Sequence, residues 1–245
     1  RNKEFGPLIR SLFVPEEGNK WGSFDYSQQE PRMTVHYAAS IGNGYEGSTE
    51  LVEAYQKAST DFHQTVADLV GIERVQAKTI GLGLMYGMGK NKLAASLGVS
   101  KEEATVLISK YNRKVPFVKM LSDRCMQTAN DKGVIRTKKG RKCRFDMWEP
   151  RDFGLYTAET FDNAVAKYGR ENIKRAYTYK ALNRLIQGSS ADQTKQAMLS
   201  CYEAGHLPIL QIHDELCFNI SKTNTKDTQS IKKIMESCIE FKLPF

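Results

Sequence analysis

Two strand-forming segments stand near opposite ends of this chain, and each delivers an acidic residue. Trp21-Gly-Ser-Phe-Asp25-Tyr26 reads as a short strand, with alternation placing Trp21, Ser23 and Asp25 on one side. Pro208-Ile-Leu-Gln-Ile-His213 and Leu216-Cys-Phe-Asn-Ile220 read as two arms of a hairpin, with His213-Asp214-Glu215 at the reversal. What separates them is mostly helical. A chain with strands at its ends and helices between them has few ways to close a sheet. The expected class is α+β, an antiparallel sheet interrupted by a helical insert.

Local signals place the intervening elements. Ser27-Gln-Gln-Glu30 opens a helix to about Ser40, with Pro31 tolerable because first-turn amides lack intrahelical partners. Gly42, Gly44 and Gly47 form a loop, and Ser48 or Thr49 caps a helix to about Lys57. Thr60 is expected to cap the next helix, Asp61 to Val70, which presents His63 one turn in. Glu73 begins another, Ser100 with Glu103 forms a capping box for a helix to about Arg113, and Phe117 to Lys132 follows. A helical subdomain from about 42 to 132 results. Gly133 to Phe145 reads as a basic β-hairpin turning at Lys139-Gly140, and 150–157 as irregular. A long helical pattern spans about Asn172 to Ala204, interrupted by Gly188, and Thr223 to Phe241 closes as an amphipathic helix.

Charge is unevenly spread. The chain has 245 residues and a net charge of +8. The segment from Lys132 to Arg184 holds 14 basic and 6 acidic residues, so it accounts for the whole excess of +8. Arg136, Lys138, Lys139, Arg141, Lys142 and Arg144 follow one another with no acid among them. A solvated turn could carry such charges, but an excess of this size points to a polyanion, nucleic acid first. Cys125, Cys143, Cys201, Cys217 and Cys238 are scattered and make no metal-finger spacing with the four histidines, which fits free thiols in a reducing cytosol. No apolar run is long enough to span a membrane. The start shows no signal-peptide h-region and no initiator Met, and both ends read as cuts within a longer protein.

Two features carry chemistry. Phosphoryl transfer with two divalent ions needs carboxylates holding the metals about 3.5–4 Å apart. Asp25 and Asp214, at the ends of neighbouring strands, can do this, and Mg²⁺ needs few protein ligands beyond them. The second feature is Arg74-Val-Gln-Ala-Lys-Thr-Ile-Gly-Leu-Gly-Leu-Met-Tyr-Gly87. Steps of four put Arg74, Lys78, Leu82 and Tyr86 on one broad face of a helix. Two cations, an apolar residue and an aromatic could close over a nucleoside triphosphate; a solvated basic turn entering a core helix is the alternative. The glycines match neither a dinucleotide-binding nor a Walker loop. Each of Gly81, Gly83 and Gly87 costs a helix about 1 kcal/mol relative to Ala, so a bend or a close neighbour is expected.

Three blocks in order resemble the polymerase motifs of the DNA polymerase I family, family A. Asp25-Tyr-Ser-Gln-Gln-Glu30-Pro-Arg32 is similar to the first, Arg74-x-x-x-Lys78-x-x-x-Leu82-Gly-x-x-Tyr86-Gly87 to the second, and Gln211-Ile-His213-Asp214-Glu215-Leu to the third. Asp61-Phe-His63 and Asn183-x-x-x-Gln187-Gly188 resemble further family elements.

The resemblance implies a right-hand polymerase fold without thumb or exonuclease in this chain. Palm would comprise residues 1–41 and 179–245, and fingers with the basic hairpin 42–178. It implies DNA synthesis on a primer-template from dNTPs with two Mg²⁺ held by Asp25, Asp214 and the Tyr26 carbonyl. Glu215 would be a supporting acid and Lys78 would also act in catalysis. Gln28, Glu30, His63, Arg74, Lys78, Leu82 and Tyr86 would bind the dNTP, Glu30 excluding a 2′-hydroxyl and Tyr86 stacking at the templating position. Arg32, Arg136, Lys138, Lys139, Arg141, Asn183, Gln187 and His213 would contact DNA. The setting would be the cytoplasm, that of a host if the protein is viral, with no membrane partner and no accessory protein specified.

Departures are Gln29 and Pro31 for the family's Ile and Leu, Leu82 for an aromatic, and Tyr179 for an Arg of bacterial members; together they resemble a viral, bacteriophage branch. A single-subunit RNA polymerase and a non-catalytic DNA-binding fragment are the competing readings. Glu30 and Glu215 argue against the former.

Overall fold

A computed structural model describes residues 4–57, 60–152, 154, 156–223 and 226–245. The chain opens with α1 (Phe5–Ser11), β1 (Asn19–Asp25) and α2 (Gln29–Ala39). Six helices follow: α3 (Ser48–Lys57), α4 (Phe62–Val70), α5 (Arg74–Met85), α6 (Lys90–Leu97), α7 (Lys101–Lys114) and α8 (Pro116–Lys132). Then come β2 (Val134–Arg136), β3 (Lys142–Arg144), β4 (Trp148–Pro150), α9 (Phe161–Tyr168) and β5 (Ile173–Arg175). The chain ends with α10 (Ala181–Glu203), β6 (Pro208–Ile212), β7 (Glu215–Ser221) and α11 (Lys226–Ser237). The class is α+β, with small antiparallel sheets. The chain divides into two compact units, Arg1–Gln29 with Ser190–Phe241 and Phe245, and Glu30–Ser189 with Lys242–Pro244.

The first unit is built on a three-stranded antiparallel sheet in the order β1-β7-β6. β7 is central, which is why its Leu216, Cys217, Phe218 and Ile220 are all buried, while flanking β1 alternates more loosely. Leu216, Phe218 and Ile220 pack with Ala197 and Cys201 of α10, Ile231 and Met235 of α11, and Tyr26. The Tyr26 hydroxyl donates to the Met235 carbonyl at 2.7 Å, so the residue after β1 is tied to the last helix. Gly22 lies against the Ile220 side chain, where a Cβ would collide. All five cysteines are free thiols.

The second unit is largely helical. Phe62, Val66, Val70, Ile80, Tyr111, Phe117 and Leu121, drawn from α4, α5, α7 and α8, are buried in it. Gly81 sits in mid-helix because a Cβ there would stand 3.2 Å from the Tyr111 hydroxyl. Ser100 and Glu103 form the expected reciprocal capping box. Two antiparallel ribbons, β2-β3 and β4-β5, complete the unit.

Several expectations are corrected. Asp61, not Thr60, is the N-cap of α4: its carboxylate accepts from the backbone N–H of His63 and Gln64. The long helix begins at Ala181 rather than Asn172, because Ile173–Arg175 pairs with β4 and Tyr177 takes a left-handed conformation that no helix accommodates. Gly188 does not interrupt it. A Cβ at Gly188 would lie 3.0 Å from Thr137, so the glycine admits the β2-β3 ribbon against the helix. The closing helix is Lys226–Ser237, ending before the expected Phe241, and residues 224 and 225 fall outside the described residues. So do 153 and 155 of the stretch read as irregular, while Pro150 belongs to β4. Helices α1, α6 and α9 were not anticipated; α6 is a short polar element stopped by Gly98 in the left-handed region.

Two outcomes are expected. His36 and His63 are both buried in the second unit, and burial pushes each imidazole from 6.5 down to about 4. His36 Nδ1 accepts from the Lys242 backbone N–H, which fixes it as unprotonated. Both are neutral when folded and protonated when unfolded below 6.5, so stability is full above that pH and falls towards 4. The loss is on the order of 2 to 3 kcal/mol per histidine. Urea midpoints at pH 7 and pH 4.5 should show it, and His36→Asn, which keeps the acceptor, should flatten the dependence. Separately, Gly81→Ala should gain helix propensity of about 1 kcal/mol only when Tyr111→Phe removes the hydroxyl in its way. A thermal-melt double-mutant cycle reads that coupling; simple additivity would refute the packing explanation.

Candidate active site

The carboxylate end of the first unit follows from strand register. β1 and β7 pair from Asn19↔Ser221 to Asp25↔Glu215, so Asp25 is set directly opposite Glu215. β6 and β7 close through a two-residue turn, His213-Asp214, with Ile212 paired to Glu215. His213 has φ 61 and Asp214 does not share the positive sign, the pattern of a tight hairpin turn that ordinarily takes glycine first. Gln28, just beyond β1, is also left-handed at φ 54. Two strained residues thus flank the acidic cluster, as backbone strain does at functional sites.

The electrostatics of the cluster match its crowding. Burial raises the Asp25 carboxyl above its usual 3.8, and the charges of Asp214 and Glu215 and a hydrogen bond with Asp214 add to this, against a lowering by His213. Asp25 therefore holds its negative charge at a cost that a cation would relieve. Glu215 is engaged differently: one carboxylate oxygen accepts from the Ser23 hydroxyl and lies 3.6 Å from the Cys217 thiol. The strand alternation that put Ser23 beside Asp25 was the signal for this contact, and it was not used. Among the described residues, no group of three or more His, Cys, Asp or Glu is disposed to hold a metal. Two hard carboxylates nonetheless fit Mg²⁺, which takes one or two from the protein and the rest from water and phosphate. Next to them Gln29, where the family's Ile is expected, is buried and donates to Gln193 Oε1 at 3.0 Å and to Thr194 Oγ1 at 3.3 Å on α10. The polar replacement is thereby satisfied.

In the second unit, α5 carries the basic face. Arg74 opens the helix; its Nε donates to Asp61 Oδ2 at 2.8 Å, and Nη2 forms an ion pair with the same oxygen at 2.7 Å. Burial pushes the Asp61 carboxyl up, but Arg74 and the N-cap bonds outweigh it and hold the acid below its ordinary value. Asp61 thus caps α4 and aims Arg74, a double role absent from the expected site. Lys78, one turn on, is exposed. His63 is buried; besides burial, the charges of Lys78 and Arg74 disfavour its cation. Leu82 is half-buried and Tyr86, with its φ of −91, ends the helix. The Tyr86 hydroxyl donates to the Glu30 carboxylate, so a residue of the second block and one of the first are joined. Gly83 meets Leu93 and Met88, and Gly87 has φ 68 beside Tyr179. The three glycines are explained by neighbouring side chains.

The basic ribbon and α10 give a third group. Arg136, Lys138, Lys139 and Arg141 are exposed on β2-β3 and its turn. Arg141 Nη2 donates to the Gly188 carbonyl, and the Lys138 backbone N–H to the Tyr37 hydroxyl at 2.9 Å. Asn183 is half-buried and Gln187 exposed, four apart on α10. His213, in the first unit, is exposed. Arg32 is different: it is 8% exposed, donates to the Pro244 carbonyl at 2.6 Å and stacks 4.4 Å over the Tyr55 ring. Its guanidinium braces α2 from inside the unit.

Comparison with known proteins identifies the family. The chain is 37% identical to a DNA-directed DNA polymerase of Pseudomonas phage M6 over 98% of its own length and 39% of the relative's. It is 31% identical to DNA polymerase I of Caldicellulosiruptor bescii, over 98% of the chain and 27% of that protein. The chain therefore spans well under half the length of these relatives. Among solved structures it is similar to the polymerase domain of Pol1 from M. smegmatis, in complex with DNA primer-template and dNTP. That likeness has a TM-score of 0.76 at 28% identity, covering 100% of this chain and 41% of that one. The family model for DNA polymerase family A matches residues 1–245, and the chain belongs to that family.

Proposed function

We propose that this chain is the palm and fingers portion of a DNA polymerase that extends a primer on a template by nucleotidyl transfer from dNTPs. Palm would be residues 1–41 and 179–245, fingers 42–178. The observation that carries the reading is the meeting of Asp25 and Asp214 where β1 ends and the β6-β7 hairpin turns. Asp25, Asp214 and the Tyr26 carbonyl would hold two Mg²⁺. When bound, these ions would lower the pKa of the primer 3′-hydroxyl and neutralise the triphosphate and departing pyrophosphate.

The chain's own groups have distinct tasks. Ser23 keeps Glu215 turned to the strand, so Glu215 supports the site rather than ligating firmly. Arg74, aimed by Asp61, and exposed Lys78 supply positive charge for the triphosphate, Lys78 also at the leaving group. His63 enters as a neutral imidazole, able to donate a hydrogen bond but not charge. Tyr86 holds Glu30, a rigid arrangement suited to rejecting a 2′-hydroxyl and therefore to DNA rather than RNA synthesis. Gln28 and Leu82 complete the nucleotide contacts. Arg136, Lys138, Lys139, Arg141, Asn183, Gln187 and His213 would meet DNA, while Arg32 is largely buried, held by the Pro244 carbonyl and the Tyr55 ring. Similarity to a phage enzyme supports a viral replication role in the host cytoplasm. No helix among the described residues is long and apolar enough to cross a membrane.

Primer extension by the full-length parent should require Mg²⁺ and fall by about 10³-fold or more in Asp25→Ala or Asp214→Ala, since each removes a metal-holding charge. Intact extension in either variant sinks the assignment. Lys78→Ala should raise the dNTP concentration for half-maximal rate and lower the maximal rate. Asp61→Asn, which frees Arg74, should act chiefly on the dNTP requirement; unchanged dNTP dependence in steady-state assays would remove Arg74 from the triphosphate.

A further inference from the structure

Three described residues other than glycine hold a positive φ: Gln28, His213 and Tyr177. The first two flank the acidic cluster. Tyr177, at φ 60 and ψ 13, has no part in the site described above. Such conformations cost free energy and persist where the surrounding structure enforces them, which makes the residue worth explaining. Its consequence is local and specific. The turn Thr178–Lys180 follows at once, with Thr178 buried, so the chain is pinned there while the tyrosines on either side face outward. Tyr177 is 36% exposed and Tyr179 51%. The Lys180 ammonium lies 4.9 Å from the centroid of the first ring and 5.5 Å from that of the second. The Tyr179 ring is seated against Gly87, where a Cβ would stand 3.1 Å away; Gly87 directly follows Tyr86.

We propose that Tyr177, Tyr179 and Lys180 form a stacking platform for unpaired nucleotides of a single-stranded template, an inference that rests on the polymerase reading. Two exposed aromatic rings sharing one ammonium are a poor surface for a purely apolar partner. They suit a base and its phosphate: every base has a π-face, and the lysine offers the charge. The partner's sign is set by the segment Lys132 to Arg184, which carries 14 basic and 6 acidic residues. Gly87 seats Tyr179 beside the end of α5, so bases stacked there would lie next to Tyr86, the residue assigned to the templating position. At the position of Tyr179 bacterial members are expected to carry Arg, a side chain that offers a base no aromatic ring. The platform supplies a means of holding the next template bases out of the duplex.

The test uses the full-length parent, with anisotropy of labelled DNA read without dNTP or metal, so that an inactive enzyme still reports. Tyr177→Ala/Tyr179→Ala should weaken binding of a primer-template with a single-stranded 5′ overhang by about tenfold or more, from the alanine-scan range for base stacking. A blunt duplex should bind unchanged. Tyr177→Phe/Tyr179→Phe should restore overhang binding, and Lys180→Gln should reduce its salt dependence. In the parent, 2-aminopurine in the first unpaired template position should be quenched, and brighten in the alanine pair. Equal binding by the alanine pair, equal loss on blunt DNA, or failure of the phenylalanine pair to restore would overturn the platform. Because catalysis is not measured, these results are separable from the fate of the polymerase assignment, which the Asp25 and Asp214 variants decide.

Discussion

The pairing of β1 with β7 is the constraint on which the rest of this protein's chemistry depends. An antiparallel register repeats every two residues, so a slip of one would turn Asp25 to the opposite face of the sheet. The register is held by what lies on either side of it. Phe24 packs edge-on against Phe218 at 5.5 Å, Gly22 admits Ile220, and Tyr26 is anchored to Met235. Each contact belongs to the hydrophobic core of the first unit, and each would be lost with the slip. The acidic cluster is thus positioned by apolar packing, while its own charges repel.

The same division of labour recurs in the second unit. Asp61 satisfies the open amides of α4 and orients Arg74, so a helix cap doubles as a guide for a functional cation. Glu30 and Tyr86 restrain one another. Small residues work by what they omit: Gly81, Gly87 and Gly188 let Tyr111, Tyr179 and Thr137 approach the backbone. Such glycines lower helix propensity locally and are kept where tertiary contact compensates.

Tyr177 extends the pattern of left-handed backbone from the acidic cluster to a surface where two aromatic rings meet a lysine. Gln29 shows how the chain absorbs a departure from its family. A polar side chain in place of an aliphatic one is buried with its amide donating to Gln193 and Thr194.

Much of this was legible before any coordinates. The α+β class, the hairpin at His213-Asp214, the basic ribbon and the Ser100–Glu103 capping box follow from local periodicity and turn chemistry, which act over a few residues. Asp25, Asp214 and the Arg74 to Tyr86 face stand out in the sequence because they lie in three ordered blocks that resemble the family A motifs. Elements without a strong period escaped: α6 and α9 are short, and the start of α10 was misplaced because Ile173–Arg175 is a strand only by virtue of its partner, β4. Arg32 illustrates the limit most plainly. Its motif says cation, and only packing against Tyr55 and Pro244 makes that cation largely buried within its unit. The sequence by itself determined which charges and acids the chain brings and in what order. Tertiary structure alone decided which of them are exposed, which are neutralised by burial and which are held by a partner, because those outcomes depend on neighbours far along the chain.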